Sequence, residues 1–172
     1  MSLIEFDINQ EHVCIDSTGQ ERLLDCLRAR GHTDVKEGCG SGECGACTVI
    51  LNDEPVCSCL TFTLQAEGGQ VLTASHLAAE LPELIAALEQ HSAVQCGFCT
   101  PGIVVSASKL LLSSPAPNPD KIATALEGHL CRCTGYHRIS RAVSAAIRKR
   151  RETGQLAPYQ AGALTRTGRQ PT

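Results

Sequence analysis

Residues 37–49 read EGCGSGECGACTV, with Cys39, Cys44 and Cys47 threaded through Gly38, Gly40, Gly42 and Gly45, and this stretch decides the fold around it. The spacing C-x4-C-x2-C is that of a loop holding a 2Fe-2S cluster, which needs three thiolates converging on one face of a compact turn and a fourth arriving from a neighbouring strand. The four glycines are read as turning the backbone through positive φ, and so bringing N–H groups within reach of the sulfurs, where they stabilise the negative charge of a reduced cluster. A side chain at those positions would crowd the cluster. Cys59, with eleven residues between it and Cys47, is the expected fourth ligand. Cys57 is its competitor, and spacing favours Cys59. The same stretch formally contains the dinucleotide fingerprint Gly40-x-Gly42-x-x-Gly45. That motif needs a βαβ setting, whereas here cysteines interrupt the glycines and hairpin strands follow, so it is rejected.

Outward from the loop, residues 3–8 alternate with Ile4, Phe6 and Ile8 on one face, and Val13 and Ile15 continue the pattern after a polar break, which predicts a β-hairpin. Residues 21–30 place Leu23, Leu24 and Leu27 on one helical face, and Gly31 stands where a helix stops. After the loop, residues 48–51 and 55–59 flank the polar turn Asn52-Asp53-Glu54, a second hairpin, and Val71-Leu72 offers a closing strand. From Ser75 the period becomes helical. Four apolar faces follow: Leu81, Leu84, Ile85 and Leu88; Ile103, Val104, Ala107, Leu110 and Leu111; Ile122, Ala125 and Leu126; Ile139, Val143, Ala146 and Ile147. Residues 113–119 (SSPAPNP) form a loop, because three closely spaced prolines cannot continue a helix. The expected organisation is α+β: a small mixed sheet with one helix over 1–74, a helical domain over 75–151, and an extended or disordered tail over 152–172.

The helical half carries its own thiols, Cys96-x2-Cys99 and Cys131-x-Cys133, each pair just ahead of a predicted helix. Two helix N-termini aimed at one spot favour a negatively charged cluster. A structural zinc could use the same four thiols, but it usually takes C-x2-C twice, and beside a cluster loop a second 2Fe-2S cluster is preferred. Cys14 and Cys26 are expected to be buried small hydrophobes. The histidines His12, His32, His76, His91, His129 and His137 show no ligand pairing and are assigned to the surface or to capping. Arg148 to Arg151 form a solvated helix end.

Composition narrows the function. The chain has 172 residues, 42% apolar, with a net charge of -3, five aromatic residues and 11 cysteines. A weakly acidic chain without a basic stripe or stacking platforms is not expected to bind nucleic acid. No window is apolar enough for a membrane span and the first residues do not read as a secretory signal, so a cytoplasmic protein starting near Met1 is expected. An odd cysteine count in that setting argues against a disulfide framework and for metal binding.

The segments EGCGSGECGACTV (37–49), SCLTF (58–62), VQCGFCTPG (94–102) and LCRCTGY (130–136) resemble the small iron-sulfur subunit of the molybdenum hydroxylases, the family of xanthine dehydrogenase and aldehyde oxidoreductase, over residues 1 to about 150. The resemblance implies an N-terminal β-grasp, plant-type ferredoxin-like domain followed by a four-helix bundle, each with one 2Fe-2S cluster. It implies a large molybdopterin subunit, with the pterin as the cytosine dinucleotide, and a medium FAD subunit, in a hetero-oligomer such as a dimer of heterotrimers. In such an assembly the chain relays single electrons from molybdenum to the flavin or another acceptor while an N-heterocycle or aldehyde is hydroxylated, with no substrate site on this chain. The cluster at Cys96, Cys99, Cys131 and Cys133 is implied to lie nearer the pterin, with Gln95 and Cys133 approaching it. The cluster at Cys39, Cys44, Cys47 and Cys59 is implied to lie nearer the flavin. One departure stands out: the family usually has Gly-Asn-Leu before C-x-C, and this chain has Gly128-His129-Leu130. A free-standing two-cluster carrier and a zinc-binding interaction module are the competing readings.

Overall fold

The computed structural model describes residues 2–113 and 117–154. Alternation builds the first layer. β1 (Ser2–Ile8) and β2 (Glu11–Ser17) pair antiparallel, joined by Asn9 and Gln10 at φ 51° and 73°, a turn whose twist suits a hairpin. Ile4, Phe6, Ile8 and Ile15 enter the core together. The same alternation corrects the expectation for Cys14, which lies between Val13 and Ile15 and is exposed on the opposite face. α1 (Leu23–Ala29) buries Leu23, Leu24, Cys26 and Leu27 against these strands. β3 (Thr48–Leu51) and β4 (Glu54–Cys57) form the second hairpin, and β5 (Gln70–Leu72) lies between β1 and β3, parallel to the former and antiparallel to the latter. The five-stranded order is β2-β1-β5-β3-β4.

Five helices follow: α2 (Ala74–Glu80), α3 (Pro82–Gln90), α4 (Thr100–Ser113), α5 (Pro119–Leu126) and α6 (His137–Glu152). Four apolar faces were expected to give four helices. The first of them is α3, and α2 is an additional helix ahead of it, separated because Pro82, lacking an N–H, cannot continue α2 and starts α3 instead, leaving Leu81 buried at the joint. The expected 113–119 loop falls between α4 and α5, partly outside the described residues, as does the tail beyond Gly154. At the basic end of α6, Arg150 pairs with Glu83 of α3 rather than standing fully in solvent.

The two halves share β3, whose four residues are all buried. Val49 and Leu51 join the α1 core, while Ile50, with Leu72 of β5, joins the helical core. Burying Ile50 and Leu72 there contributes about 2 kcal/mol each. Lys109 of α4 adds an ion pair to Glu54 at 3.6 Å and a hydrogen bond to the Asp53 carbonyl. With α4 laid along β3, the start of each element, and with it each cysteine loop, comes to the same end of the molecule.

Candidate metal centres

The loop before β3 wraps around Cys39. Its Sγ accepts three backbone N–H groups, from Glu43 at 3.3 Å and from Ser41 and Cys44 at 3.4 Å each. The Ser41 amide leads in pulling this thiol down from an ordinary 9.0 to about 6, so it is a thiolate at neutral pH. Gly40, Gly42 and Gly45 take φ of 66°, 81° and 70°, as the turn requires. Gly38 departs from the expectation: its φ is not positive, and its need is for room, since a Cβ there would lie 2.8 Å from the Cys44 Sγ.

Cys47 and Cys59 form the inner side of this group, at 2% and 4% exposure. Burial and the neighbouring Cys47 thiol push Cys59 up to about 11. Strand alternation does not separate Cys57 from Cys59. β4 ends at Cys57, the Ser58 N–H bonds the Cys47 carbonyl at 3.3 Å, and the chain turns, so both thiols come within reach of Cys47. Burial, then Cys47, Cys39 and Cys44, raise the Cys57 thiol, whose Sγ points its hydrogen at the Gly42 carbonyl 3.8 Å away. Five thiols therefore gather here. Ser58, fully buried with its Oγ donating to the Cys47 carbonyl at 2.7 Å, holds the turn.

The second group divides in the same way. Cys99 and Cys131 are buried, and Cys96 and Cys133 are exposed with their sulfurs 3.6 Å apart. Each side holds an acidic and a basic thiol. A backbone N–H of Phe98 leads in lowering Cys96, whereas the hydrogen bond to Cys96 raises Cys133. Burial pushes Cys131 up, but the Thr134 hydroxyl at 3.0 Å and its backbone N–H outweigh it and leave that thiol below its ordinary value. Burial and the neighbouring Cys131 side chain drive Cys99 up to about 12. Cys99 directly precedes α4, whose start does not supply the expected donors: the Thr100 N–H bonds the Gly97 carbonyl at 3.3 Å, Pro101 has no N–H, and the Ile103 N–H bonds the Cys99 carbonyl at 3.2 Å. Tyr136, at φ 65° ahead of α6, accepts the Cys131 N–H on its hydroxyl at 2.9 Å. The Gln95 amide donates to the Cys133 carbonyl at 3.2 Å, placing these two expected residues together on the exposed side.

The two groups touch. The Leu130 N–H donates to the Cys44 carbonyl at 3.0 Å, and Phe98 lies against the first loop, with Lys36 5.8 Å from its ring centre and a Gly38 Cβ reaching within 3.3 Å of its edge. His129 was expected at the surface and is instead 4% exposed. It is walled in by α4 and the Gly45 turn, and burial keeps its imidazole below the ordinary value and neutral. Thr134, Tyr136, Ser58, Ser106 and His129 were not singled out as site residues. The available signal was hydroxyls and a histidine within a few residues of the cysteines, where polar groups serve tight turns.

The donor chemistry fits two-iron clusters: each group offers four or more sulfurs, two inner and two outer, with N–H and hydroxyl donors aimed at the thiolates. Among the described residues no three His, Cys, Asp or Glu side chains converge on a point suited to a single ion.

Comparison with known proteins agrees. Residues 6–78 match the model of a 2Fe-2S iron-sulfur cluster binding domain, and residues 69–144 match that of a [2Fe-2S] binding domain. The chain is 43% identical over 149 residues to the nicotinate dehydrogenase small FeS subunit of Eubacterium barkeri, covering 85% of this chain and 95% of the relative. It is 39% identical to the xanthine dehydrogenase iron-sulfur-binding subunit of Escherichia coli O157:H7, covering 79% and 88%. Quinoline 2-oxidoreductase from Pseudomonas putida 86 has a chain that superposes with a TM-score of 0.81 at 36% identity, covering 89% of this chain and 97% of that one.

Proposed function

The chain belongs to the family of small iron-sulfur subunits of the molybdenum hydroxylases, and from that premise we propose that it carries electrons singly from the molybdopterin centre of a large partner subunit to a flavin or another acceptor, during hydroxylation of an N-heterocycle or an aldehyde. Bound at these thiols, a 2Fe-2S cluster supplies a site that takes up and returns one electron. Cys39, Cys44, Cys47 and Cys59 would hold the first, and Cys96, Cys99, Cys131 and Cys133 the second. Cys59 is preferred to Cys57 because it is buried and receives a Gly42 backbone hydrogen bond, whereas Cys57 donates to the Gly42 carbonyl. On this reading 1–74 is a β-grasp domain and 75–151 a four-helix bundle with α2 as its lead-in.

The observation that carries the proposal is the common plan of the two groups: each has a buried inner pair and a more exposed outer pair, with a backbone hydrogen bond joining Cys44 to the residue beside Cys131. Gln95 and Cys133 lie on an exposed rim with Val94, Phe98, Leu130 and Tyr136, a surface suited to the molybdopterin subunit. There Gln95 would approach the pterin dinucleotide. Leu60, Phe62 and Leu64 stand exposed on the side of the first group and would face a medium FAD subunit. No helix among the described residues is long and apolar enough to cross a membrane, and a cytoplasmic heterotrimer, paired or single, is the assembly proposed. Iron and acid-labile sulfide assays on the natively purified complex are expected to give about four of each per copy of this chain, with a large molybdenum-containing subunit copurifying. Zinc in place of iron, or a chain that purifies alone with its clusters, would overturn the proposal.

A further inference from the structure

We propose that His129 is a positioning residue that wedges the first cysteine loop against the second and so sets the electronic coupling between the two clusters; this rests on the assignment of the clusters above. Three backbone segments meet at its ring with no side chain between them. A Cβ at Gly45 would lie 2.3 Å from the Gly128 carbonyl oxygen and 2.4 Å from the His129 Nδ1, and a Cβ at Gly102 would lie 2.1 Å from the Gly45 oxygen and 3.0 Å from the same Nδ1. The ring's other nitrogen, Nε2, is hydrogen-bonded to the Ser106 Oγ at 2.7 Å, which fixes the imidazole to α4. Nδ1 is buried and faces the backbone of the Gly45 turn, the second anchor of the ring.

The consequence lies one residue on. Gly45 follows Cys44, and Leu130 lies between His129 and Cys131, so the ring sits behind the bond from the Leu130 N–H to the Cys44 carbonyl at 3.0 Å. That bond joins a ligand-bearing residue of the first group to the neighbour of a ligand in the second. Both of its partners lie in loops, outside any strand or helix. Ser106 holds the ring, and the ring holds the loops. Electronic coupling between two centres falls steeply with distance, so a small retreat of one loop weakens it while all eight thiols stay in place.

The test uses the natively purified complex with His129→Ala and, as the milder change, Ser106→Ala, which removes only the ring's partner. Two readouts are taken: deuterium exchange at the Leu130 amide by mass spectrometry, and the magnetic splitting between the two dithionite-reduced clusters by electron paramagnetic resonance. The expected result is iron content equal to wild type, amide exchange about tenfold faster in His129→Ala and less so in Ser106→Ala, and a reduced splitting in the same order. Wild-type exchange and splitting in His129→Ala with both clusters loaded overturns the proposal. If His129→Ala loads no clusters, Ser106→Ala decides by the same readouts; loss of clusters in both also overturns it, since a wedge leaves the thiols to hold iron. A wild-type complex without iron would instead defeat the assignment of the clusters, and the exchange readout, which needs no iron, would still decide whether the ring holds the loops.

Discussion

The two cysteine groups meet one chemical demand, four thiolates held together against their own repulsion, by different means. In the first, a loop is bent until its own amides surround a sulfur: Cys39 takes three backbone N–H groups, with the Ser41 and Cys44 side chains adding to them. In the second, backbone N–H groups of Phe98 and Thr134 act on Cys96 and Cys131, and side chains complete the work, with the Thr134 hydroxyl on the Cys131 sulfur and the Tyr136 hydroxyl on its amide. The loop solution depends on glycine and on close packing. The second leans on a few polar side chains in its turns, although Gly97, Gly135 and Tyr136 also take positive φ there. The difference teaches where each group is fragile: the first at its backbone, the second at its hydroxyls.

Loss of a thiol should erase the contrast. Cys96→Ser or Cys131→Ser is expected to reduce turnover with the acceptor to background by stranding electrons at molybdenum, while the signal of the first cluster persists. Full acceptor reduction by a complex verified to lack the second cluster would end the relay account. Glycine substitutions should separate the groups next. Gly45→Ala combines φ 70° with a Cβ 2.3 Å from the Gly128 carbonyl oxygen, and is expected to cost about 3 kcal/mol or more in urea unfolding. Gly135→Ala has φ 65° but open space around its Cβ, and should cost only about 1 kcal/mol. Equal costs would show that room at the first loop is not what its glycine provides.

Much of this contrast is legible in the sequence, and the exceptions have physical reasons. Cysteine spacing places both groups because ligand geometry constrains neighbours along the chain, and alternation over residues 3–15 places the hairpin because one face must be buried. What spacing does not contain is where a strand stops. Cys57 and Cys59, two residues apart, are not told apart by strand alternation, and the turn at Ser58 brings both to Cys47. Nor does local pattern report contacts between the halves. His129 reads as a surface residue, yet α4 and the Gly45 turn enclose it. Likewise Gly38 reads as a turn residue, but it is small because the Cys44 sulfur lies beside it.

A hydroxyl can be removed without touching a ligand, and the effect should be confined to one group. Thr134→Ala takes away the 3.0 Å contact with the Cys131 sulfur. The second cluster's midpoint potential should move by about 60 mV to more negative values, because the reduced cluster loses a donor, while the first stays put. Equal movement of both potentials would mean that the groups are not tuned separately. The smallest effect is expected in the iron-free chain. Cys39, held at about 6, should be alkylated readily near pH 7, whereas Cys59 at about 11 and Cys99 at about 12 should react only in strong alkali. A lowered thiol pKa favours the folded loop fully above the ordinary 9.0, and that contribution is lost as pH falls through about 6, so apo-loop order should weaken on acidification. Uniform alkylation of the three thiols, quantified by peptide mass spectrometry across pH, would contradict the loop's amide cage.

The most direct test of the central claim, that this chain holds two 2Fe-2S clusters in unlike surroundings, is an electron paramagnetic resonance spectrum of the natively purified complex after anaerobic dithionite reduction. The account predicts two distinct half-integer-spin signals, with one spin for each cluster on every copy of the chain. A single signal, or silence in a fully metal-loaded protein, would contradict it.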